Sequence, residues 1–61
     1  MAFRIEYFSK GVLVGGVPCP KSLLDAKENA KRGIKLHGAD FAKIVDMDDH
    51  GKVIAVVKLG A

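Results

Sequence analysis

Polar and apolar residues alternate from the start of the chain, with Phe3, Ile5 and Tyr7 on one side and Arg4, Glu6 and Phe8 on the other. That period marks a strand with one buried face, so a first strand is expected over residues 3–8. Ser9-Lys10-Gly11 follows, and a glycine able to take positive φ just before Val12-Leu13-Val14 predicts a tight hairpin. The second strand is expected from Val12 to about Val17. Gly15-Gly16 lowers its strand propensity and places it at a sheet edge, and Pro18 and Pro20 are expected to end it.

The pattern changes after Ser22. A serine followed three residues later by Asp25 is a helix N-terminus signal, and the acid also suits the positive end of the helix dipole. At about 100° per residue, Leu23, Ala26, Ala30, Gly33, Ile34 and His37 share one stripe, and Asp25, Glu28, Lys31, Arg32 and Lys35 lie opposite. The stripe is small in its middle, which lets the helix axis approach a sheet closely. Gly38 is a natural left-handed stop. Gly33 costs up to about 1 kcal/mol relative to alanine inside a helix, so an earlier end there is the competing expectation.

Alternation returns at Asp40, with Phe41, Lys43 and Val45 against Ala42, Ile44 and Asp46, which predicts a third strand. Asp48-Asp49-His50-Gly51 reads as a second hairpin turn. A fourth strand is expected from Lys52 to about Leu59, and its Val53 to Val57 core is apolar on both faces. The order is β-β-α-β-β in one domain spanning residues 1–61. A helix running back antiparallel to the second strand makes the third parallel to that strand, so placing the third beside the first keeps every neighbour antiparallel. The expected fold is therefore α+β, a four-stranded antiparallel sheet of order 2-1-3-4 with one helix on one face. One helix covers one face only. The apolar residues left on the other predict a homodimer, with Val45, Val53 and Val57 as its contact face, or an association through a sheet edge. The alternative is that Lys43 and Lys58 mark that face as solvated.

Length and composition agree with a single small core. A 61-residue chain buries about 60% of the surface its unfolded form exposes, which excludes a two-domain enzyme. Hydrophobic residues at 49% and charged residues at 28% are the balance of an ordinary globular domain. A single cysteine excludes an intrachain disulfide and points to a reducing, cytoplasmic setting. No run approaches the about 18 apolar residues of a membrane span, and charge interrupts the N-terminal segment where a signal peptide would be apolar.

The net charge of +3 is unevenly spread. Lys21, Lys27, Lys31, Arg32 and Lys35 lie in or beside the helix, while Asp40, Asp46, Asp48 and Asp49 gather around the second hairpin. Such a dipole suits complementary contact with a protein partner. The basic face of Lys27, Lys31, Arg32 and Lys35 also admits weak nucleic-acid binding, although Asp25 and Glu28 dilute it and it carries no aromatic residue for base stacking. A solvated face with a Glu28 to Arg32 pair is the simpler expectation.

Candidate chemistry is sparse. Asp46 to Gly51 opens like an EF-hand loop, but His50 stands at the fifth position and Val57 at the twelfth, where a bidentate glutamate belongs. His37 and His50 are titratable near neutral pH, yet with Cys19 and Asp40 they match no metal-ligand spacing. Cys19, between two prolines and before a helix, could serve as a reactive thiol or a haem ligand, but no second cysteine or His-Asp array accompanies it. No catalytic residue, cofactor or metal is assigned.

Phe3-Arg4-Ile5-Glu6-Tyr7-Phe8, Leu24-Asp25-Ala26-Lys27 through Gly33, His37-Gly38-Ala39-Asp40-Phe41-Ala42 and the Asp46 to Gly51 turn together resemble short uncharacterised proteins of proteobacteria, over nearly the full chain. That resemblance implies a bacterial cytoplasmic source and brings no activity with it. The segment Leu23 to Lys31 is also similar to the helix of HicB-type antitoxins, which bind a small toxin. Those proteins usually have a longer sheet before the helix and often an appended DNA-binding region, so their function is not carried over. The expectation is a small, non-enzymatic, self-associating interaction module.

Overall fold

A computed structural model of the chain describes residues 2–19 and 22–58. Strands β1 (Phe3–Ser9) and β2 (Val12–Cys19) form the first hairpin, helix α1 (Leu23–His37) follows, and β3 (Phe41–Asp46) and β4 (Lys52–Lys58) form the second. A short 3-10 turn, Met47–Asp49, begins the connection between β3 and β4. All neighbours pair antiparallel in the order β2-β1-β3-β4. This is the α+β arrangement that the alternation and the direction of the helix predict.

The hairpin between β1 and β2 turns through Lys10 and Gly11, both at positive φ, the geometry that matches the twist of paired strands. Helix α1 starts where Ser22 Oγ accepts the Asp25 backbone N–H at 3.3 Å and the Ser22 hydroxyl donates to the Asp25 carboxylate at 3.1 Å. It runs through Gly33 to His37. Gly38 then turns the chain left-handed at φ 65, and the Ala39 N–H donates to the Ile34 carbonyl at 2.9 Å. The helix exit is tied to the first hairpin: the Asp40 N–H donates to the Phe8 carbonyl at 2.8 Å, and the Asp40 carboxylate accepts the Lys10 N–H at 2.7 Å.

One expected end is met and one differs. Helix α1 ends at the Gly38 stop and not at the competing Gly33, where the missing side chain is a packing requirement: a Cβ built on Gly33 would overlap Oη, Cζ and Cε1 of Tyr7. Strand β2 continues past Val17 to Cys19. An edge strand tolerates proline, whose absent N–H costs least there, and Pro18 pairs with Arg4. Pro20, Lys21 and Leu59 lie outside the described residues.

The core is one layer between helix and sheet. Phe3, Ile5 and Tyr7 from β1, Ala42 and Ile44 from β3, Val57 from β4 and Cys19 from β2 meet Ala26, Ala30 and Ile34 of α1. The three small helix positions, Ala26, Ala30 and Gly33, bring the axis down onto β1. Tyr7 is buried beneath them, and its hydroxyl donates to the Asn29 carbonyl at 3.4 Å. Both hairpins are bulged, one register shift falling between Tyr7 and Phe8 and the other between Ile44 and Val45. No described helix is long and apolar enough to cross a membrane.

Candidate interaction face of the sheet

Alternation along a strand sends every second side chain away from the helix, so the sheet has a second face over which none of the other described elements packs. Across the strands in the order β2, β1, β3, β4, this face reads in three rows. The first is Leu13, Phe8, Phe41 and Lys58. Its two phenylalanine rings stack at 5.2 Å between centroids, with planes 7° apart. The second row is Gly16, Glu6, Lys43 and Val56. Lys43 Nζ leans 5.0 Å from the Phe8 ring centroid, a cation over the ring face. The third row is Pro18, Arg4, Val45 and Val53, and Arg4 Nε stands 3.9 Å from Glu6 Oε2 of the second.

The face is charged along its middle row and mostly apolar in the two outer rows, which Arg4 and Lys58 interrupt. Leu13 is 50% exposed, Val56 51% and Val53 45%, while Phe8 and Phe41 are half-buried by their own stacking. Side chains of this size left in water make a patch of the kind that marks interaction sites.

The three valines expected to form one contact face do not share it. Val53 is there and exposed. Val45 is there too but is buried, between its cross-strand neighbours Arg4 and Val53. Val57 is on the opposite face, beneath the helix and in the core. The cause is the β3–β4 bulge: Val45 pairs with Val53 but Ile44 with Ala55, so Ile54 is an extra residue and reverses the facing of everything after it. In its place on the open face stands Val56, opposite Lys43. Phe8, Phe41 and Glu6 were not singled out from sequence, and Lys43 was named only as a sign of a solvated face, although alternation does put both phenylalanines on the polar side of their strands. Two aromatic residues on the nominally wet side were the available signal.

The other sequence candidates are dispersed. Lys27, Lys31, Arg32 and Lys35 are all exposed on α1. Among the described residues the one ion pair is Arg4–Glu6, so the Glu28 to Arg32 pair is not formed. The aspartates of the second hairpin hold its backbone: the Asp46 carboxylate accepts the Asp48 N–H at 3.0 Å, and the Asp48 carboxylate accepts the Ala2 N–H at 3.1 Å. His50 is an exposed turn residue at φ 54. His37 packs its ring on Tyr7 at 4.7 Å between centroids, next to Gly15. Cys19 is buried and receives the Asn29 amide N–H at 3.6 Å. Among the described residues no three of His, Cys, Asp and Glu converge as metal ligands do.

No protein-family model, curated protein or solved structure matches the chain.

Proposed function

We propose that the protein is a small, non-enzymatic interaction module of the cytoplasm that works by self-association through its open sheet face. The observation that carries this reading is the exposure of Leu13, Val53 and Val56 beside the stacked Phe8 and Phe41 on a sheet with a helix on one side only. A chain of this size gains much by covering that face, since its core is one layer deep. Specific interfaces at the low end remove about 600 Å² per partner, roughly a seventh of the 4084 Å² this chain exposes. Light scattering over a concentration series, at low and moderate salt, tests the reading. A mass of twice the 6.5 kDa chain is expected at high concentration, and a 6.5 kDa species at every concentration overturns it.

A second reading, weak nucleic-acid binding, is favoured by the exposure of Lys27, Lys31, Arg32 and Lys35 without ion-pair partners among the described residues. Binding of a short oligonucleotide that falls steeply with salt and is lost on reversing the charges of Lys31 and Arg32 supports it. Binding unchanged by those reversals removes it.

A further inference from the structure

Building on the self-association proposed above, we infer that a second copy of the chain covers the open face with the two-fold axis running along the strands, so that Glu6 of each copy meets the partner's Lys43. Sheets stacked face to face keep their strands within about 30° of each other, and an isologous contact places its axis between the two sheets. Aligned strands then leave two directions for that axis, along the strands or across them, and the charged middle row distinguishes the two.

An axis along the strands keeps each row at its own level and reverses the strand order. Strand β1 then lies over the partner's β3, and β2 over the partner's β4. Glu6 meets the partner's Lys43 twice, once on each side of the axis. Glu6 and Lys43 are also direct cross-strand neighbours within one chain, so the four groups form a square of alternating sign. Above the square, Phe8 meets the partner's Phe41, gathering four rings. Beside it, the Arg4 guanidinium, which lies over Gly16, meets the partner's Val56, and Pro18 meets the partner's Val53. An axis across the strands reverses the rows instead. It sets Glu6 on the partner's Glu6, Lys43 on the partner's Lys43, and the Phe8 ring on the partner's Arg4. Like charges at the centre of a closing interface are strongly unfavourable, so the first arrangement is selected. Apolar burial at the margins supplies the affinity. A partly buried ion pair adds little net affinity, and its part is to set the register.

Four proteins test this in light scattering and sedimentation equilibrium: wild type, Glu6→Lys, Lys43→Glu and the double swap, with circular dichroism confirming each fold. Each single reversal puts like charges in both central contacts and is expected to raise the dimer dissociation constant about tenfold or more. The double swap restores both contacts across the interface but loses the Arg4–Glu6 pair and the Lys43–Phe8 contact within each chain, so it is expected to dimerise more tightly than either single reversal and less tightly than wild type. Lys43→Gln, which keeps most of the side-chain stem, replaces the reversals if either fails to fold; it is expected to weaken the dimer and to flatten its salt dependence. A wild-type chain that is monomeric throughout overturns self-association and this arrangement with it. A dimer that none of the substitutions weakens, or a double swap as weak as the singles, leaves self-association standing and overturns the arrangement.

Discussion

The Tyr7 hydroxyl reaches the Asn29 carbonyl through space that any side chain at residue 33 would fill. Gly33→Ala is therefore a contest between two effects. Alanine improves helix propensity by up to about 1 kcal/mol, while its Cβ collides with rigid ring atoms, and overpacking of this kind costs about 1–3 kcal/mol or more. Because the obstructing atoms include Cζ and Cε1 as well as the hydroxyl, the collision wins. Thermal unfolding of Gly33→Ala should show a loss of about 2 kcal/mol, with Tyr7→Phe in the same chain recovering part of it. Tyr7 is also the only tyrosine, so its ionisation is directly readable. Burial first, and the nearby Cys19 second, hold its pKa above the ordinary 10.0. An unfolded chain thus gives up the phenolic proton at a pH where the folded chain keeps it. The stability involved is fully present below 10.0 and is lost as pH rises through the higher folded value. The phenolate absorbance of the native protein should titrate with a midpoint above 10.0, together with loss of the helix signal; a midpoint at 10.0 in a chain still folded contradicts this burial.

At the scale of elements, the bulge in the second hairpin decides which valines belong to the core. Val57→Ala removes buried apolar volume and should destabilise the monomer by about 2 kcal/mol in denaturant unfolding. Val53→Ser, four residues earlier on the same strand, should change monomer stability by no more than about 0.5 kcal/mol while weakening dimerisation. Equal losses at the two sites would place both valines on one face and remove the bulge. Strict alternation does place them on one face, and that is where the sequence is least informative. A bulge depends on how β4 meets β3, and no residue at Ile54 announces it. Contacts within a few residues were legible: the Ser22 cap, the Gly38 stop, the side of β1 that carries Phe3, Ile5 and Tyr7, and from these the strand order. Gly33 was visible as one small residue of the packing stripe and as a weakness in the helix, but not as the slot for Tyr7, because the ring that needs its empty space comes from β1, far away in sequence. The open face was legible in outline, as the second side of each alternating strand, but its rows depend on two register shifts that only pairing reveals.

At the scale of the whole molecule, one sheet face is packed and the other is exposed, so folding and association share the same apolar supply. A dimer that binds only the native chain adds stability by mass action. Above its dissociation constant, each tenfold rise in protein adds about 1.4 kcal/mol per dimer, hence about 0.7 kcal/mol per chain. For a domain of this length that moves the melting temperature by about 3–6 °C, which scanning calorimetry over a concentration series reads directly. A concentration-independent melt would leave each chain to stand on its single layer. The same layer has a consequence for how the chain reaches its native state. Tyr7 enters the helix like a key in a keyway, and the helix offers one slot of that width, at Gly33. Sliding α1 along the sheet by one turn, about 5.4 Å, would bring Ala30 or His37 to the ring in its place. Neither has the gap, so the helix has a single seat on the sheet, and partial docking in a neighbouring register is closed to it.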